Sequence, residues 1–411
     1  MNIINKYGIF LIFAIFFNYK SIMFKYLKEF IHKIFYFLKL ILKSKKTYFK
    51  PKNKDFLILD KMHIQILEKY IGKNNFNILK IRGEETNLFV LAHSILNLDF
   101  KNLSLSYINS YIKLTNAKYC ISFNHARIDF YKIKNFNKNI KIIIFQNGAM
   151  RLRFPNQLFV KNLKENNQKV EKNKLSADYI FCCNDFYKDK LFKKYINSKF
   201  INIGSYRNNY YFKKEKIKKK KSKKFISQFR LHEVHRNFKS NEKFYDTEKK
   251  LLPMLYKYCK KHNLKLEILG AEWDIKKEKN FYKKILGNDD WDFYKRTLKN
   301  KSYYLTDQAQ IVVFVDSNLG LESLSRGNKS VSINYRGLFH KSYQNFGYDF
   351  LKNKGNFWTT YSGAKEFKRL MNYASNCSKK KWDKDNSKII KKILEYDPKN
   401  TKFKKLLKNI V

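Results

Sequence analysis

The segment Ile311–Gly337, IVVFVDSNLGLESLSRGNKSVSINYRG, admits few folds. IVVFV is a short β-branched run of the kind buried on both faces in a parallel sheet. Asp316, Ser317 and Asn318 follow at once, and all three residue types favour turns and helix N-caps. From Leu319 to Arg326, Leu321 and Leu324 recur at helical spacing, with Glu322 and Arg326 four apart on another face. Gly327 and Asn328 stop the helix, and SVSIN begins a second strand. Strand, turn, helix, strand is a parallel βα unit. Open sheets of such units bind ligands beyond the carboxyl ends of their strands. A helix N-terminus placed there offers free N–H groups to a phosphate.

The same alternation recurs along the chain. FLILD (56–60), FNILKIR (76–82), KYCISF (118–123), KIIIFQNG (141–148), ADYIFCCN (177–184) and KFINIGS (199–205) read as strands. Helical patterns lie over 87–96, 106–116 and the stretch ending near Tyr195. A second series starts at KFISQFR (224–230) and continues through a helix over 246–262, LKLEILG (264–270), a helix over 276–286 and the opening segment. Helices over 364–375 and 388–394 close it. This predicts an α/β protein. Its divisions are an apolar and basic segment over 1–45, an N-terminal domain over 50–208, a Lys-rich linker over 209–224, a C-terminal domain over 225–375 and C-terminal helices over 376–411.

A formal net charge of +53 over 411 residues invites a nucleic-acid reading. Lys is spread along the whole chain and far outnumbers Arg, whereas base and phosphate recognition favours Arg. The charge therefore reads as compositional background that assists attraction to anionic surfaces. Within residues 1–45, Gly8–Phe17 is too short to span a bilayer, and 23–43 alternates Phe, Leu and Ile with Lys. That pattern suits a helix on a membrane surface, with docking on the protein's own body as the alternative. Met23 is a second candidate start. The five cysteines, Cys120, Cys182, Cys183, Cys259 and Cys377, form no CxxC pair and suit reduced thiols in a cytoplasmic protein.

GxGxxG, Walker, HExxH and GxSxG patterns are all absent, which removes the support for dehydrogenase, P-loop, zinc-protease and hydrolase readings. His232, Glu233 and His235 contain one HxH spacing without a third ligand, so no metal is expected. Asp60 and His63 stand at the end of the first strand, where they could be functional, but read in preference as solvated loop residues. The rival reading of 316–326 is a capped helix with an internal Glu322–Arg326 ion pair.

FKPKNKDFLILD, IIIFQNG, FISQFR and DSNLGLESLSRGNKSVSI together resemble bacterial surface-carbohydrate biosynthesis proteins, of the O-antigen and capsule type, over about 47–400. That resemblance implies two Rossmann-like domains whose parallel sheets face a cleft, a glycosyltransferase-B-like architecture. It implies transfer of a sugar from a nucleotide-activated donor to a lipid-linked or membrane-associated glycan acceptor. The enzyme would need no cofactor and sit peripherally on the cytoplasmic face of the inner membrane. Ser317, Asn318 and Gly320 would meet the donor phosphate, Glu322 a ribose or sugar hydroxyl, and Arg230 the pyrophosphate, with Arg326 also on the donor side. His125 is the candidate general base, with Gln146 and Asn147 beside it in the QNG turn. Related proteins often carry His at the position of Asn147. A sugar-nucleotide epimerase of the same fold and a non-enzymatic basic scaffold binding anionic lipid or nucleic acid are the alternatives.

Overall fold

A computed structural model describes residues 42–81, 84–96, 103–149, 175–185, 196–212, 217, 222–227, 229, 244–295, 301–339 and 341–410. The N-terminal segment, Arg230 and the His232–His235 cluster lie outside these residues.

The chain opens with β1 (Lys45–Thr47), β2 (Phe56–Leu59), α1 (Ile64–Ile71), β3 (Phe76–Leu79), β4 (Glu85–Asn87), α2 (Leu88–Leu96) and α3 (Leu103–Thr115). Next come β5 (Tyr119–Ser122), α4 (Ile128–Phe136), β6 (Lys141–Phe145), β7 (Ser176–Cys182), β8 (Asn197–Asn202) and α5 (Tyr206–Tyr210). A second series follows: β9 (Ser222–Ile226), α6 (Asp246–Lys261), β10 (Lys265–Leu269), α7 (Ile275–Leu286), β11 (Asp292–Tyr294) and α8 (Lys301–Gln308). It continues with β12 (Ile311–Phe314), α9 (Asn318–Ser325), β13 (Ser330–Ile333) and β14 (Trp358–Thr359), then α10 (Ala364–Asn376), α11 (Lys379–Ile393) and α12 (Thr401–Ile410).

Two compact units emerge. The first takes its described residues from Met1–Lys61 and Asn77–Ala117. In it β1 runs parallel to β4, with Lys45 opposite Glu85. The Ser44 hydroxyl donates to Thr86 Oγ1 at 2.7 Å. Asn87 Oδ1 caps the start of α2 by accepting from Val90 N. The second unit takes the remainder, from Met62–Phe76 and Lys118–Val411.

In the second unit β5, β6, β7 and β8 lie side by side in parallel. The later strands form a fully parallel sheet in the order β11-β10-β9-β12-β13-β14. IVVF of β12 and SVSI of β13 are buried throughout, as β-branched strands covered on both faces must be. Sheet growth reverses direction between β9 and β12, which creates a topological switch point there.

The Lys-rich run ends inside this sheet. Lys223 and Lys224 are buried in β9, and Lys224 forms an ion pair with Glu267 of β10. Burial pulls the Lys223 ammonium down to about 8. The strand thus starts at Ser222, two residues ahead of the expected Lys224 and inside the stretch read as a linker, with Lys224 paired to Glu267 and Lys223 Nζ donating to Gln310 Oε1 at 3.3 Å.

The C-terminal helices return to the first set of strands. Phe403 of α12 packs its ring 5.1 Å from Tyr206, 5.4 Å from Phe145 and 5.7 Å from Phe181. Tyr119 OH and Lys141 Nζ donate to the Ile410 carbonyl at 3.0 and 3.2 Å. Ahead of α12, Glu395 N donates to the Cys183 carbonyl at 3.1 Å. All five cysteines are free and buried.

Candidate functional site

A cavity of about 350 Å³ lies within the second unit. Its wall is built where parallel strands end. Phe123 follows β5, the Gln146–Gly148 turn follows β6, and Ser205 precedes α5. From the other sheet, Ser227 follows β9 and Asp316 to Leu319 follow β12, so the switch point opens into the cavity.

The turn after β12 is held from below. Arg336, fully buried, reaches Asp316 Oδ1 at 3.0 Å and Glu248 Oε1 at 2.7 Å. Its guanidinium also lies 3.6 Å from the Phe244 ring centre. Burial opposes the Arg336 charge, and the two carboxylates outweigh it, so the guanidinium is held well above its ordinary value. Burial raises Glu248 against the pull of Arg336. Ser317 caps α9, its side chain accepting from Leu319 N at 3.3 Å. Asp316, Ser317, Asn318, Leu319 and Glu322 all line the cavity.

Gly320 and Arg326 behave differently from the expectation. Gly320 is absent from the cavity wall, and a β-carbon there would run into the Phe314 ring. Its missing side chain lets α9 lie close on β12. Arg326 is buried away from the cavity in an ion pair with Asp307, and its Nη1 donates to the Tyr211 carbonyl at 2.6 Å. The Glu322–Arg326 pair therefore does not form. Glu322 Oε1 accepts from the Ser205 hydroxyl at 2.8 Å and Oε2 from Tyr303 OH at 2.9 Å.

Across the cavity, Gln146 Oε1 accepts from Cys183 N at 2.8 Å, while Nε2 is buried without a partner among the described residues. Gly148 has φ +92°, and a β-carbon on it would stand 2.6 Å from Asn318 Nδ2. His125 does not line the cavity. It is buried beneath the turn, where its Nδ1 accepts from Asn147 N at 3.3 Å, and burial lowers it to about 4. Enclosed there and off the cavity wall, His125 supports the turn.

Other wall residues carry chemistry that local sequence passed over or set aside. Arg207 lines the cavity with its guanidinium 5.4 Å from the Tyr303 ring centre. Burial works against its charge, but Tyr303 and Glu322 hold it above its ordinary value. Glu278 collects the Ser227 hydroxyl, Ala271 N at 2.9 Å and Glu272 N at 3.0 Å, fixing the loop after β10. His63, set aside as a solvated loop residue, is half-buried and lines the cavity. The strand-end rule that raised His63 after FLILD would, applied to KFINIGS, have pointed to Ser205–Arg207 as well. Among the described residues, no group of three or more His, Cys, Asp or Glu is placed to hold a metal ion, and no helix is long and apolar enough to cross a membrane.

Parallel sheets whose carboxyl ends meet a polar cavity capped by a helix N-terminus define an α/β ligand-binding protein of the doubly wound class. Residues 142–411 match the family described as "putative O-antigen biosynthesis protein", and the chain belongs to that family. No curated protein matches the chain. Among solved structures it is similar to the wall teichoic acid polymerase TagF, H444N variant with CDPG, at 12% identity and a TM-score of 0.49, covering 87% of this chain and 89% of that one. It is also similar to the UDP-GlcNAc 2-epimerase of Neisseria meningitidis bound to UDP-GlcNAc, at 9% identity and 0.49, covering 87% and 99%. The pneumococcal O-GlcNAc transferase GtfA in complex with UDP and GlcNAc is similar at 11% identity and 0.42, covering 74% and 60%.

Proposed function

We propose that this chain transfers a sugar or sugar-like group from a nucleotide-activated donor to a membrane-associated glycan acceptor during surface polysaccharide synthesis. The observation that carries the reading is the cavity at the switch point, with the N-terminus of α9 and Glu322 on one side and Arg207 on another. Ser317 and Asn318 with the first N–H groups of α9 would take the donor phosphates. Arg207 supplies a cation there, and Arg230, which lies outside the described residues, would add a second. Glu322 keeps acceptor capacity beyond its bonds to Ser205 and Tyr303, since a carboxylate offers about four lone-pair sites. It would accept from a donor hydroxyl. Positive groups and helix N–H donors would stabilise the departing pyrophosphate. The basic, apolar N-terminal segment would bring the enzyme to the cytoplasmic membrane face, near a lipid-linked acceptor.

A thermal-shift series with uridine, cytidine, guanosine and thymidine diphosphate sugars tests this. One donor class is expected to raise Tm selectively, and Glu322→Gln to weaken that shift. Equal, salt-sensitive responses to every polyanion would sink the reading in favour of a basic scaffold. Conversion of the donor sugar in the absence of any acceptor would identify an epimerase instead.

A further inference from the structure

We infer that His63 is the general base that activates the acceptor, with Asn147 as its positioning residue. This rests on the transferase reading above. His63 lines the cavity, whereas His125 does not. Its backbone stands at φ 58° and ψ 14°, a left-handed conformation uncommon outside glycine. The surrounding contacts hold it there. Its carbonyl accepts from Ile66 N at 3.0 Å and Leu67 N at 3.1 Å at the start of α1. Its ring meets Phe123 edge to face, with centres 5.2 Å apart.

The imidazole also has a neighbour that can set its tautomer. Its Nε2 lies 3.4 Å from Asn147 Oδ1, while Asn147 Nδ2 lies 3.2 Å from Met62 Sδ. An amide oxygen only accepts, so in the arrangement proposed Nε2 carries the hydrogen and Nδ1 serves as the basic nitrogen. The neighbouring residue, Gly148, presses against Asn318 at the N-terminus of α9. The two-residue turn Asn147–Gly148 thus sets the base on one flank and the phosphate-suited helix end on the other. In the step proposed, His63 Nδ1 takes the acceptor hydroxyl proton as that oxygen bonds to the anomeric carbon. The bond from that carbon to the donor phosphate oxygen breaks, its electron pair leaves with the nucleoside diphosphate, and the proton stays on His63. A single displacement of this kind inverts the anomeric centre.

Full-length protein carrying His63→Asn, which tolerates the left-handed backbone, tests the assignment with the nucleotide sugar that shifts wild-type Tm. Donor binding is expected to persist, while kcat falls by about 10²- to 10⁴-fold. The acidic limb of the kcat/KM profile is expected to vanish with it. His63→Gly should recover part of the rate with added imidazole. Asn147→Ala should lower kcat less than His63→Asn and shift the acidic limb. Transfer by His63→Asn within threefold of wild type, with the limb intact, overturns the base assignment and leaves the transferase reading standing. Retention of anomeric configuration does the same. A wild-type chain that binds no nucleotide sugar overturns both together.

Discussion

The Ser205 hydroxyl donates to Glu322 Oε1 at 2.8 Å, so the turn after β8 and the middle of α9 share one carboxylate. Tyr303 of α8 holds the other oxygen. Glu322 is therefore both a wall of the cavity and a joint between three elements.

That double role changes what substitution should do. Glu322→Ala strands two buried hydroxyls, and each unpaired group costs about 1–3 kcal/mol. A loss of about 2–4 kcal/mol in urea denaturation is expected alongside lost activity. Glu322→Gln keeps the volume and can still pair both hydroxyls. It should retain most of the stability yet weaken donor binding by tenfold or more, read by titration calorimetry. Unchanged donor affinity in Glu322→Gln would remove this residue from the donor site.

Gly148→Ala sets a β-carbon at φ +92°, 2.6 Å from Asn318 Nδ2. The left-handed backbone alone costs roughly 1–2 kcal/mol for a non-glycine residue. The collision adds to it by displacing Asn318. The double variant Gly148→Ala with Asn318→Ala should cost less than the sum of the singles, by about 0.5 kcal/mol or more. Strict additivity in equilibrium denaturation would show that the contact is not formed in solution.

Burial lowers His125 to about 4, against about 6.5 for an exposed imidazole. Between those values the unfolded chain binds more protons than the native one, so native stability falls as pH drops through that window. The full loss at the bottom of the window is on the order of 3 kcal/mol. His125→Asn should flatten the pH dependence of unfolding between about pH 6.5 and 4. A slope identical to wild type would mean that His125 is not buried as a neutral ring.

Arg336→Met removes the cation from Glu248 and Asp316. Breaking a buried pair by deleting one partner costs about 3–5 kcal/mol. Adding Glu248→Gln to Arg336→Met should restore part of that loss, because the carboxylate left without its partner is neutralised. Donor affinity is expected to fall in the single variant, since Asp316 begins the turn that lines the cavity. A fully active, fully stable Arg336→Met protein would contradict the anchoring role.

Strand-forming runs were legible because a buried parallel strand is written locally, as in IVVF and KIIIF. The cap at Ser317 and the stop at Gly327 were legible for the same reason: each acts on its own neighbours. Arg336 was not, because its partners Glu248 and Asp316 are 88 and 20 positions away and leave no periodic trace. Lys223 read as solvated linker charge, and only the fold brings Gln310 to it and Glu267 of β10 to its neighbour Lys224. Gly320 read as a phosphate glycine, although Phe314 behind it decides its role. His63 lost its significance in sequence because Asn147 lies 84 positions on.

The return of α12 has a bearing on the order of events in synthesis. The aromatic cluster of Phe145, Phe181 and Tyr206 is completed by Phe403, which is made some two hundred residues after the last of them. Closing so long a loop is slow and comes late. The Phe403 contacts on the strand ahead of Gln146–Gly148 are thus available only after the whole second sheet has been made. During that interval a nascent chain is exposed to aggregation and chaperone capture.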